Sequence, residues 1–262
     1  MTTALRVEDH DGGIREIVLA RPEVLNRFDE VLHHELTDTL VRTAADPRVR
    51  SVVLASTGKA FSAGGDFELM EQARQDPAVR SRIVGDARRL LDSFLGLPQP
   101  IVVAVQGAAM GLGATVALAC DAVVASHGAT FADTHVNVGL VAGDGGCLVW
   151  PEAVGMVRAR RHLLTGEPLD AETAFALGAV SDLAENAEEA YKTAREIAER
   201  IARLAPLAVQ GTKRALNTVT GRRAAEVVDL SLAYEERTLG SQDLLEGITA
   251  FRERRQPSFR GM

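Results

Sequence analysis

The sequence predicts a layered α/β core followed by an all-helical C-terminal third. Three observations lead there. Short β-branched runs recur at Ile14–Leu19, Ser51–Ser56, Ile101–Gln106 and Ala122–Ser126, with Ala179–Leu183 a weaker fifth. Helical patterns lie between them, and strands alternating with helices imply an α/β layered core. After about residue 185 no strand signal returns.

Taken in order, Asp29 is placed to cap a helix running to about Ala45, with Leu32, Leu36 and Leu40 on one face. Glu68 to Leu95 reads helical, with an interruption near Asp76-Pro77. Ile101 to Cys120 runs twenty residues without a charge, long enough to span a bilayer. Its front half is β-branched, its middle carries Gly107, Gly111 and Gly113, and its back half reads as a helix. A buried strand, a glycine turn and a buried helix are therefore expected rather than a span. Asp170 is placed to cap a short helix that stops at Gly178. Ala190, Ala194, Ile197, Ile201 and Leu204 mark an amphipathic helix ending near Pro206, and three helical segments follow: Leu207–Asn217, Arg222–Leu239 and Asp243–Arg254. The expected division is a core over residues 1–200 and a helical region over 201–262.

Composition narrows the function. The 262 residues carry 29 Lys+Arg against 36 Asp+Glu, a formal charge of -7, which disfavours a broad basic footprint for nucleic acid. With 8 Phe, 2 Tyr and 1 Trp, platforms for base stacking are not expected. Cys120 and Cys147 form no CxxC, so neither a disulfide framework nor a zinc ribbon is indicated. The segment MTTALRVEDHDGG has no apolar stretch and reads as neither a signal nor a transit peptide. A cytoplasmic enzyme is the expectation, with no nucleic-acid or membrane partner.

Two segments look chemical. Gly58-Lys59-Ala60-Phe61-Ser62-Ala63-Gly64-Gly65-Asp66-Phe67 follows a strand, and so does Gln106-Gly107-Ala108-Ala109-Met110-Gly111-Leu112-Gly113, which opens a helix. Runs of small residues let the backbone approach a ligand and leave amide N–H groups free to donate. Competing motifs fail: Val116 stands where a dinucleotide fingerprint needs its third glycine, and Val53 where a phosphate loop needs its first. The adjacent His33 and His34 point in different directions from one helix and are read as a solvated face, not a metal site.

Together the segments resemble the crotonase (enoyl-CoA hydratase/isomerase) family. The matching pieces are RPEVLN at 21–26, the GKAFSAGGDF run, QGAAMGLGATVALACDAVVAS, GLVAGDGG and the C-terminal EGITAFRERRQPSF, in family order over nearly the whole chain. The resemblance implies a crotonase-like spiral of ββα units with a helical C-terminal oligomerisation region, assembled as a trimer or hexamer. It implies an acyl-CoA thioester substrate, with coenzyme A entering as part of that substrate and no separate cofactor. Carried onto this chain, Gly65 and Leu112 would supply the two backbone N–H groups that hold an enolate oxygen. Ala63, Gly65, Asp66, Phe67 and Glu68 would line the substrate path, and Phe251 and Arg254 sit where the family's tail touches CoA.

The chain departs from the family at its acid/base positions. Aligning GLGAT with the family's GGGCE places Thr115 at the first glutamate, and aligning FADTHV with FGQPEI places His135 at the second. Thr115 is left as a group able to hydrogen-bond a water. His135 becomes the acid/base candidate, because an unperturbed imidazole titrates near ~6.5, with Asp144 in the Gly143–Gly146 turn placed to orient it. Asp133 and His135 suggest a metal pair, but no third ligand is evident in the sequence, and no metal is expected. The His135/Asp144 spacing also resembles the oxocamphor hydrolase branch, in which Glu235 or Glu236 would replace a tail carboxylate. The leading expectation is an acyl-CoA hydratase or isomerase acting through an enolate in fatty-acid or related acyl-CoA metabolism. A β-diketone carbon–carbon hydrolase and a non-catalytic acyl-CoA binding protein are the alternatives.

Overall fold

In the computed structural model, which describes residues 3–262, two sheets share the strands. The longer strands are β1 (Leu5–His10), β2 (Ile14–Leu19), β3 (Ser51–Ser56), β5 (Ile101–Val105), β7 (Ala122–Ser126) and β10 (Asp182–Ala184), which form a six-stranded sheet in the order β1-β2-β3-β5-β7-β10. β1 and β2 make an antiparallel hairpin, and every later neighbour pairs in parallel. A second sheet holds β4 (Ala60–Ser62), β6 (Ala108–Met110), β8 (Thr130–Ala132) and β9 (Leu169–Asp170), in the order β4-β6-β8-β9. The chain thus repeats one step: a long buried strand in the first sheet, a short strand in the second, then helix. This is the expected spiral of ββα units, and the central strands β3, β5 and β7 are largely apolar and buried because both faces of a parallel sheet are covered.

The early helices follow their sequence signals. α1 (Glu30–Ala44) starts where Asp29 accepts from the Leu32 N–H, and it buries Leu32, Leu36 and Leu40. α2 (Phe67–Gln75) and α3 (Pro77–Gly96) are separated at Asp76, whose side chain caps the second of them. The uncharged stretch from Ile101 resolves into β5, β6 and α4 (Leu112–Leu118), and no helix among the described residues is long and apolar enough to cross a membrane. α5 (Gly146–Val154), α6 (Met156–Thr165) and α7 (Ala171–Leu177) follow, the last capped by Asp170 and closed at Gly178 as the sequence indicated. The weak fifth strand lies a little later than expected, as β10.

The C-terminal helices differ from expectation in two ways. α8 (Ala187–Ala202) buries Ala190, Ala194, Ala198 and Ala202 against Val53, Val102 and Val124, while Leu204 is 55% exposed. Alanines four apart give a helix a flat stripe that approaches a sheet closely, so the alanine row, not the bulkier isoleucines and Leu204, sets the buried face. The segments expected at Leu207–Asn217 and Arg222–Leu239 are one continuous helix, α9 (Pro206–Leu239). Gly221 does not break it, since an interior glycine costs only ~1 kcal/mol relative to alanine. At 1.5 Å per residue this helix spans about 51 Å. Lys213 ties it to the sheet through Asp121 Oδ2 at 2.6 Å and the Gln99 carbonyl at 3.0 Å, and Val228 and Leu232 pack on Leu91 and Leu148. Its C-terminal end therefore arrives over the glycine turns. α10 (Gln242–Glu253) folds back beside them.

Candidate active site

The two glycine turns meet. At Gly64, where φ is +86°, a Cβ would stand 2.8 Å from the Met110 carbonyl oxygen, so only glycine allows the first turn to lie against the second. The Phe28 N–H and the Asp66 N–H bond across to hold the first turn, using the Gly64 and Phe28 carbonyls. The Gly65 N–H itself donates to no described residue, nor does the Leu112 N–H at the first position of α4. Both residues line one inner cavity of about 40 Å³. Two residues with unused backbone donors thus line one space.

An outer pocket of about 380 Å³ leads to them. Ala63, Gly65, Phe67 and Phe251 line it, with Phe67 and Phe251 packed edge to face at 5.2 Å between ring centres. Asp66 lines the inner cavity rather than the outer pocket; it is buried as the N-cap of α2, accepting from the Leu69 N–H, and pairs with Arg27 at 2.6 Å. Two expected contacts fall elsewhere. Glu68 is exposed and lines neither cavity. Arg254 takes the left-handed position that ends α10, and Arg255 lines the pocket in its place.

The acid/base candidates come together as expected, with one addition. His135 Nε2 lies 3.3 Å from Asp144 Oδ2, and its Nδ1 lies 2.7 Å from Asp133 Oδ1. Asp133, which the sequence suggests only as a metal partner, stands two residues before His135, just beyond β8, and there holds the ring. Burial disfavours the imidazolium, but the two facing carboxylates outweigh it and raise His135 well above its usual value. Burial likewise pushes Asp144 up, and the His135 charge outweighs this and leaves it below its usual value. Thr115 lines neither cavity; its Oγ1 donates to Asp144 Oδ1 at 3.3 Å, so it steadies the carboxylate from behind.

Asp144 also supplies the third ligand-type group that the sequence did not reveal: Asp133, His135 and Asp144 offer atoms within 4.8 Å of one another. Both ring nitrogens of His135 are already engaged by carboxylates on opposite sides. An imidazolium bridging two carboxylates fits that geometry better than an imidazole offering a lone pair to a cation.

Two residues enter the site from unexpected directions. Of the two tail glutamates, Glu235 lines the inner cavity, while Glu236 accepts from Ser81 Oγ at 2.6 Å. Burial and the nearby Asp144 charge push Glu235 up to about 8. His33, read as part of a solvated face, is buried and packs edge-on against Phe28 at 5.4 Å, whereas His34 turns outward to Asp86.

Burial pulls His33 down to about 4, with Asp86 and Asp144 offsetting only part of that. Below pH ~6.5 the unfolded chain takes up a proton that the folded chain refuses. The stability His33 contributes is therefore full above that pH and lost as pH falls toward about 4, by up to about 3 kcal/mol. His33→Leu should remove this part of the acid limb. Urea unfolding at pH 7 and pH 4.5 should show the variant losing about 2 kcal/mol less than the parent between the two.

Comparisons with known proteins show which family the chain is similar to. Residues 9–262 match the family model described as Enoyl-CoA hydratase/isomerase. The chain is 35% identical over 266 residues to (E)-benzylidenesuccinyl-CoA hydratase of Thauera aromatica, covering 100% of both. It is 31% identical to trans-2-decenoyl-[acyl-carrier-protein] isomerase of Streptococcus mutans, over 96% of each chain. Among solved structures, an enoyl-CoA hydratase/isomerase from Mycobacterium paratuberculosis superposes with a TM-score of 0.90 at 34% identity, covering 95% of this chain and 98% of the other.

Proposed function

Because the chain belongs to the enoyl-CoA hydratase/isomerase family, we propose that it acts on an acyl-CoA thioester through an enolate held by the Gly65 and Leu112 N–H groups. The observation that carries this reading is the pair of unused backbone donors beside the buried His135–Asp144 pair. The α-proton of a thioester is too weakly acidic for a side chain to remove unaided. Two preorganised amides aimed at the carbonyl oxygen stabilise the developing charge where water is excluded, and such a donor is worth ~2.7–4 kcal/mol.

In this arrangement the pantetheine arm lies in the outer pocket, past Ala63, Phe67 and Phe251, and the acyl group enters the inner cavity. His135 Nε2 and Asp144 Oδ2 hold the proton that moves to or from the α-carbon, while Asp133 fixes the ring. No cofactor beyond the CoA of the substrate is required. What happens at the β-carbon separates a lyase from an isomerase. A homotrimer or hexamer is supported by the apolar residues that α9 leaves exposed, Leu207, Leu216, Val219 and Leu230. Two unpaired cysteines suit a cytoplasmic setting.

A panel of trans-2-enoyl-CoA thioesters tests the reading. Loss of the conjugated thioester absorbance with gain of one water in mass is expected for hydration, and a moved double bond at unchanged mass for isomerisation. Cleavage of β-diketones without use of CoA esters, or CoA-thioester binding with no turnover of any substrate, would overturn it.

A further inference from the structure

Resting on that reading, Glu235 has no assigned part, yet it is set into the reacting end of the site. It comes from α9, is 4% exposed, and its Oε2 has no hydrogen-bond partner among the described residues. A buried polar atom left unpaired is costly and calls for an occupant. The backbone makes room for it: a Cβ on Gly143 would stand 2.6 Å from that oxygen. His33 lines the same cavity, and its Nδ1 is likewise without a partner. Asp66, His135 and Asp144 line the cavity too, beside the apolar Phe28, Leu69, Met70 and Ile83. At about 40 Å³ the space exceeds the ~10–15 Å³ that a water needs.

We propose that Asp144 and Glu235 are the two carboxyl groups that remove water from, or add it to, the α,β bond of the acyl thioester, with His33 and Glu235 holding the oxygen that leaves or enters. This makes the reaction a hydration or dehydration rather than a double-bond shift. In dehydration Asp144 takes the α-proton, and the C–H electron pair passes into the enolate held by Gly65 and Leu112. Collapse of the enolate forms the double bond and breaks the bond from the β-carbon to oxygen. The departing hydroxyl takes the proton of Glu235 and leaves as water. The pair holds one proton before and after, and hydration is the same path reversed. Carboxyl groups whose surroundings drive them apart are suited to opposite acid and base roles. Asp144 lies below its usual value and Glu235 is raised to about 8.

The test is Glu235→Gln, which preserves shape and hydrogen bonding but carries no proton to transfer. Turnover in the water-adding or water-removing reaction should fall about 100-fold, with KM little changed. Exchange of α-protons with deuterated water on a saturated acyl-CoA uses the amide donors and the His135–Asp144 pair without Glu235, and should fall far less. The groups facing Glu235 are Asp144, His135 and Asp133. The parent's dehydration rate should fall as pH rises through about 8, and that limb should be missing from the variant. Turnover within threefold of the parent, or hydration and exchange falling in parallel, would overturn the assignment. A parent protein that neither exchanges α-protons nor acts on enoyl-CoA would instead sink the acyl-thioester reading, and this inference with it.

Discussion

His135→Ala should lower turnover of the acyl thioester by about 1,000-fold, within the range for a positioned acid/base group, while affinity for CoA itself is retained. The outer pocket explains the second half: His135 forms part of its wall, but Phe67 and Phe251 also line it and pack on each other rather than on the imidazole. Stability should change as well. With the ring gone, Asp133 and Asp144 are left buried, at 0% and 5% exposure, without their cation. Breaking a buried pair in this way costs about 3–5 kcal/mol. The sign follows from the carboxylates. Their charge is the source of the deficit, so removing the charge of one of them should relieve it. Adding Asp133→Asn to the alanine variant should restore much of the stability and none of the turnover. Chemical denaturation and steady-state kinetics on both variants separate the two effects. If the single variant keeps turnover within threefold of the parent, His135 is not the proton-handling group.

The parts of this site that could be read in the sequence are those fixed by neighbours along the chain. Asp29, Asp76 and Asp170 each precede a helix whose first N–H groups need an acceptor, and each caps it. The glycine turns announce themselves because backbone donors leave small residues as their only trace. His135 and Asp144 were paired by the turn between them. The remainder depends on packing between distant segments. Glu235 reaches Asp144 only because α9 runs unbroken from Pro206, where the sequence reads as two helical segments. His33 does carry a signal of its burial in the sequence. It stands three residues before Leu36 and seven before Leu40, on the stripe that α1 buries. Adjacency to His34 drew attention to a surface pair when the helical period placed one ring inside. Asp66, a motif residue beside the donors, lines the inner cavity and also caps α2 and pairs with Arg27.

Leu112→Pro should lower both turnover and α-proton exchange by about 100- to 1,000-fold, the loss expected when one of two oxyanion donors is removed. The position makes this substitution unusually clean. Leu112 is the first residue of α4, where a helix has no internal use for the N–H and where proline's fixed φ is already suitable. The donor is deleted while the helix behind it should stand, so thermal stability should change little. Leu112 also lines the inner cavity, and Leu112→Ala measures how much of any loss belongs to its side chain rather than its amide. Gly65 offers no equivalent test. A Cβ there meets only the flexible end of Met70, and alanine would keep the N–H in place. Enolate formation precedes every fate of the β-carbon, so losing this donor must suppress exchange and water transfer together. Removing the Glu235 proton must separate them. If the proline variant keeps exchange near the parent level while the alanine control does too, the enolate oxygen is held elsewhere, and the two glycine turns meet for structural reasons alone.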